Sequence, residues 1–299
     1  MEGYVRSDLA SESALNVPEA LLDVRERRVG RFTIQSLKIS DEETARLVGK
    51  PCGRYLTLDC GRMTQIEGED EALFVSLLAG ELRGMSERLT GKHVDSDLRV
   101  LIFGLGNAEL TADAIGPKTL SHITVTRHLR EQERELYNAI GCCELSSLAP
   151  GVLGQTGIEA LEILRGAIRA VVPDIVILID ALAARGCERL ASTVQITDAG
   201  IVPGSGVGNH RSAITKESIG VPVIVIGVPT VVDSSTLVYD ALRQAKIETV
   251  DESLRTVLEN GKSFFVSPKD SDLITERASV LLARAIGSAF ARPLHENGV

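Results

Sequence analysis

The sequence predicts an α/β fold: a three-layer α/β/α sandwich with a mostly parallel central sheet and a small N-terminal lobe. Two observations carry this. Ile175-Val176-Ile177-Leu178-Ile179 and Val223-Ile224-Val225-Ile226 are apolar at every position, which suits strands covered on both faces rather than half-exposed antiparallel ones. From Arg99 onward, such strands alternate with segments of helical period. A third observation concerns function: several apolar strands run straight into loops rich in Gly, Pro, Asp and Asn. In an open α/β sheet, loops leaving the carboxyl ends of parallel strands gather along one edge and form sites there.

The chain has 299 residues, of which 44% are hydrophobic and 24% charged, enough to bury one large core with or without a smaller lobe. Its net charge of −9 argues against a general phosphate-binding surface, and 3% aromatics with no Trp leave few platforms for stacking bases. Nucleic acid is therefore not expected as a direct partner. Cys52, Cys60, Cys142, Cys143 and Cys187 include no C-x-x-C pair and read as free thiols of a reducing compartment. With no signal-like start and no apolar run of membrane length, a cytoplasmic location without a membrane partner is expected.

The elements follow in order. Strands are expected at Arg31–Leu37 and Arg54–Leu58, a small lobe or edge near residues 30–60. Phe74, Leu77, Leu78, Leu82, Met85 and Leu89 recur at three-and-four spacing, a helix over Ala72–Leu89 that packs on a core. Next come a strand at Arg99–Phe103, a helix within Ile115–Ala139, a strand at Cys142–Leu148 and a helix over Gly157–Val171. Thr156 and Glu159 fit a capping box for that helix. Strands at Ile175–Ile179, Thr193–Thr197, Val221–Val228 and Ser263–Val266 precede a last helix near Asp272–Phe290.

Three loops are candidates for chemistry. In the first, Gly104-Leu105-Gly106-Asn107 leads to Asp113, set where a helix is about to start. The dinucleotide fingerprint fails here, because Glu109 stands in place of its third glycine and would repel a pyrophosphate. Asp113 reads either as an active-site acid or as a helix cap. In the second, Asp180 terminates a fully apolar strand. A dry, unpaired charge there costs several kcal/mol, so the group is paired, partly solvated or protonated; Arg185 and Arg189 are the available ion-pair partners. Two carboxyls at one sheet edge can share a proton, one serving as general base for water and the other as acid toward the leaving amine. No G-x-S-x-G elbow or H-E-x-x-H is present.

The third loop, Thr197 to Asn209, carries Gly204, Gly206, Gly208 and Asn209, suited to clamping an extended peptide or to a surface Ω-loop. Asp233, at the end of the next strand, is a second-rank acid. Of the five histidines, His122 and His128 read as solvated, and His210, beside the glycine loop, as a candidate ligand or base. Cys142-Cys143 reads as structural.

Gly104-Leu105-Gly106-Asn107, Thr111 to Pro117, Leu148 to Gly157, Ile179 to Arg185, Pro203 to Asn209 and Gly227 to Val232 together resemble the spore germination protease family. The resemblance implies an endopeptidase that starts degradation of small acid-soluble spore proteins in the spore core during germination, by an atypical aspartic mechanism without a cofactor or metal. Its two catalytic aspartates fall on Asp113 and Asp180. It also implies a homotetramer, a fold similar to the hydrogenase-maturation proteases, and a zymogen that removes a short propeptide. Ser7-Asp8-Leu9-Ala10-Ser11-Glu12 fits the expected cleavage pattern, which places the cut between Asp8 and Leu9, with a propeptide of residues 1–8 and a single peptidase domain over 9–299. His210 after Asn209 departs from the family pattern and leaves a metal-recognising maturation endopeptidase as the alternative.

Overall fold

A computed structural model of the chain describes residues 7–95, 97–205, 211–247, 250–260 and 264–290. Its described strands are β1 (Asp23–Val29), β2 (Phe32–Ile39), β3 (Gly53–Asp59), β4 (Arg99–Gly104), β5 (Glu144–Leu148), β6 (Ile175–Ala184), β7 (Thr193–Thr197), β8 (Val223–Asp233) and β9 (Phe265–Val266). They form one sheet in the order β1-β2-β3-β7-β8-β6-β4-β5, with β9 paired to β8.

The α/β class holds, but the sheet is mixed rather than mostly parallel. Pairings are parallel between β5, β4, β6 and β8 and antiparallel along β8, β7, β3, β2 and β1. The antiparallel wing arises because β1, β2 and β3 are joined by short connections, which reverse the chain instead of crossing over. Its edge strand β1, Asp-Val-Arg-Glu-Arg-Arg-Val, is exposed along nearly its whole length, and charge at a sheet edge discourages pairing with other chains.

Alternation explains the apolar strands. Val100 and Ile102 of β4, with Ile175, Ile177 and Ile179 of β6, face one cluster, against Phe74, Leu78 and Leu82 of the helix Gly68–Thr90 and Leu281, Leu282 and Ile286 of the helix Ser271–Phe290. The alternate residues Leu101, Phe103, Val176 and Leu178 face a second cluster with Leu161 and Leu164 of the helix Ala160–Val171. Both faces of the parallel strands are thus buried.

Three local expectations change. The helix within Ile115–Ala139 is three short helices, Ile115–Ser121, Arg127–Gln132 and Arg134–Ile140. The break falls at Thr126, whose hydroxyl donates to Cys143 O (2.6 Å) and accepts from Leu145 N (2.9 Å), a tie to the β5 region that a continuous helix would not allow. The capping box at Thr156 does not form. Gly157, in the left-handed region at φ +71°, ends the short helix Leu153–Thr156. The next helix is capped instead at Glu159, whose N–H donates to Glu162 (3.3 Å). Finally, β6 runs on to Ala184, so Asp180 lies within the strand rather than at its end.

Candidate active site

The continuation of β6 sets the site. β4 pairs with it only as far as Gly104 opposite Ile179, after which Leu105 N donates to Ile179 O (2.8 Å) and the chain turns away. On that side, β6 from Asp180 onward is left without a neighbouring strand, and a cavity of about 510 Å³ opens there. Asp113, Asp180, Gly106, Gly204 and Asp8 all line it. Among the described residues, the structure thus brings both predicted aspartates to one cavity.

Asp113 reaches the cavity through a loop folded tightly on itself. It ends the single turn Thr111–Asp113 and accepts the Asn107 N–H (2.8 Å). The helix that follows is capped at Ala114, so Asp113 is not a helix cap. Gly106 sits at φ +110°, and a Cβ there would lie 1.9 Å from Asp113 O; only glycine lets the two loop strands approach this closely. Asn107 Oδ1 accepts from Glu109 N (3.0 Å) and Gln155 Nε2 (3.0 Å). The turn is tied from outside as well, since Thr230 of β8 donates to Ala112 O and Thr275 of the last helix to Thr111 O (3.2 Å).

Asp180 is buried, with 5% of its surface exposed. Its Oδ1 accepts the Ala181 N–H (3.0 Å). No salt bridge to Arg185 or Arg189 forms among the described residues; Arg189 pairs with Asp59 instead. Burial first, then the charges of Asp113 and Asp8, drive the Asp180 carboxyl well above the ordinary range, with Ala181 N–H and Arg211 opposing. Burial also raises Asp113, against the pull of Asn107 N–H and the Arg211 charge. The two carboxyls are therefore held in unequal environments, one enclosed and feeling its neighbour's charge, the other accepting a main-chain donor.

Several residues of the site were not singled out by the sequence. Arg211 lines the cavity, and its charge acts on both aspartates. Thr230 and Thr275 fix the loop through main-chain carbonyls, a role without a sequence signature. Asp8, expected only as a cleavage position, contributes to the cavity wall: its carboxylate accepts from Ala183 N (2.9 Å) and Ser205 Oγ (3.0 Å). Asp233 is no part of the cavity lining; it caps the helix Ser234–Gln244, accepting from Thr236 N (3.0 Å). Gly206, Gly208, Asn209 and His210 lie outside the described residues.

Cys143 is buried, and burial pushes its thiol up to about 12, as befits an inert core position. Among the described residues, no group of three or more His, Cys, Asp or Glu could hold a metal ion, and no helix is long and apolar enough to cross a membrane.

Comparison with known proteins now adds to the geometry. The profile of the family described as Germination protease matches residues 8–255. The chain is 37% identical to the germination protease of Caldanaerobacter subterraneus subsp. tengcongensis over 320 residues, covering 98% of this chain and 96% of that protein. It is 37% identical to that of Clostridium perfringens over 282 residues, 86% of this chain and 84% of that protein. With the Bacillus subtilis germination protease, the identity is 44% over 218 residues, 73% of this chain and 58% of that protein. A match running through both aspartate loops and over nearly the whole of one relative leaves one assignment: this chain belongs to the germination protease family.

Proposed function

We propose that the chain is an aspartic-type endopeptidase that begins the degradation of small acid-soluble spore proteins in the spore core, with Asp113 and Asp180 as its catalytic pair. The observation that carries this reading is the convergence of two carboxyls with upward-shifted, unequal pKa values in one cavity at a sheet edge. Perturbed titratable groups in a cleft mark functional sites.

The inequality assigns the roles. Asp180, enclosed and beside the Asp113 charge, holds the proton; Asp113, with its N–H donor, is the carboxylate. Asp113 takes a proton from water as the water oxygen attacks the scissile carbonyl carbon. The Asp180 proton passes to the leaving nitrogen as the C–N bond breaks, and transfer of the proton from Asp113 back to Asp180 resets the pair. No cofactor enters this cycle.

The same reading includes a self-processing zymogen cut between Asp8 and Leu9, active as a homotetramer, and a single peptidase domain over 9–299 built as a three-layer sandwich similar to the hydrogenase-maturation proteases. Gly204, Gly206, Gly208 and Asn209 support the substrate, and Gly106 and Asn107 support Asp113. The test is replacement of each aspartate by Asn, which keeps shape but cannot exchange the proton. Asp113→Asn and Asp180→Asn are each expected to lower kcat toward a small acid-soluble spore protein by about 10²-fold or more, with circular dichroism unchanged. Full cleavage by both folded variants would overturn the assignment.

A further inference from the structure

The open edge of β6 is already occupied, and its occupant is this chain's own N-terminal segment. Asp8 N donates to Ala183 O (2.8 Å), and Ala183 N donates to the Asp8 carboxylate (2.9 Å), so the segment meets the unpaired edge just past Asp180. Gln195 holds the next stretch from the side, accepting from Ala10 N (2.7 Å) and donating to Asp8 O (3.3 Å). Leu9 is fully buried, in a small apolar cluster with Leu182, Ala184 and Val232 that is separate from the main core. Ala10 is also fully buried, so this position accepts only a small side chain. Glu12 then receives two main-chain donors, Arg185 N (2.7 Å) and Gly186 N (3.0 Å), and a third bond from Ser7 Oγ.

Nothing in chain connectivity requires so complete a seat for a terminal segment. Each side chain is met by a matching surface: donors for an acid, an apolar pocket, a tight spot, and twin amides for a second acid. Pairing of an extended peptide with a sheet edge supplies affinity through the main chain, and the pockets supply selectivity. Two N–H groups aimed at one carboxylate select it over a neutral amide, whose NH2 would face them.

We propose that this cradle, made by the β6 edge at Ala183, the Leu182–Ala184–Val232 pocket, Gln195 and the amides of Arg185 and Gly186, is the specificity-determining site for the peptide substrate. It selects an extended acid–apolar–small–any–acid segment, and the chain's own residues 8–12 compete for it. The inference rests on the endopeptidase reading above. It carries a consequence for processing: a cut between Asp8 and Leu9 leaves Leu9 to Glu12 seated, so that stretch has to lift away before a substrate enters.

The experiment measures binding, so that it does not depend on which residues catalyse. Full-length chain carrying Asp180→Asn is titrated against a fluorescein-labelled peptide containing Asp-Leu-Ala-Ser-Glu, read by fluorescence anisotropy. Adding Glu12→Ala, or in a second chain Leu9→Ser, releases the internal competitor at independent points and is expected to tighten binding by about tenfold or more. Against the released chains, peptides in which the Leu is replaced by Asp, or the final Glu by Gln, are expected to bind about tenfold or more weakly. Equal affinity of the parent and both released chains, or undiminished binding of the altered peptides, overturns the cradle. Mass spectrometry of the same mixtures separates the two readings: cleavage by the Asp180→Asn chain would sink the catalytic assignment, while the order of affinities would still decide the cradle.

Discussion

Asp180 is a residue whose usefulness and cost have one origin. Enclosure at the edge of an apolar strand, beside Asp113 and Asp8, keeps its carboxyl protonated far above the ordinary range. The unfolded chain loses that proton near pH 3.9, the folded chain only at the raised value. Between those values the native state binds the extra proton, so its stability is full below the unfolded value and falls as pH rises through the folded one. Asn at this position neither titrates nor loses the acceptor for Ala181 N–H. Asp180→Asn is therefore expected to raise Tm at pH 7 by about 2 °C or more, with the gain vanishing below about pH 4. Differential scanning calorimetry at the two pH values checks this, and a variant that is equally destabilised at both would show that the charge is not the cause. The sequence made Asp180 visible because a charge on a fully apolar strand demands explanation. It could not show Asp8 or Arg211 in the same cavity, because each reaches the site by long-range folding rather than from a strand end with a recognisable pattern.

At the scale of elements, the loop from Gly104 to Asp113 is the precision part of the site. Its glycines were legible as turn residues, while the reason for Gly106 was not: the Cβ it lacks would overlap the main chain of Asp113 itself. Substitution at a positive φ also carries backbone strain, beyond about 1 kcal/mol where the native conformation is incompatible with a side chain. Gly106→Ala is expected to displace Asp113, lowering kcat by at least about tenfold, since small misplacements of reacting groups are costly, and lowering Tm. Activity assays and thermal melts measure both; wild-type kcat would show that this contact does not position the acid. Helix ends were the less legible features. Thr156 has the composition of a cap, but Gly157 ends a short helix first and hands capping to Glu159. Thr126 likewise breaks a helical pattern only because β5 is folded beside it.

For the whole molecule, the parallel strands could be read from sequence because burial on both faces leaves them apolar throughout, and their clusters on β4 and β6 are found where the alternation requires. The antiparallel wing was harder to read. β1 is almost wholly charged, so neither its existence nor its direction shows in a hydrophobic pattern, and β3 joins β7 across a long separation in sequence. That wing turns a parallel core into a mixed sheet and brings Gln195 of β7 beside the N-terminal segment. The central claim is that this architecture holds one ionised and one protonated aspartate in a single cavity. The pH dependence of kcat/KM for the active chain on a spore-protein substrate tests it most directly. The account predicts a bell, with an acid limb from ionisation of Asp113 and an alkaline limb from deprotonation of Asp180, two apparent values that belong to the pair. A profile that is flat, or that has only one limb across the range where the enzyme remains folded, would contradict it.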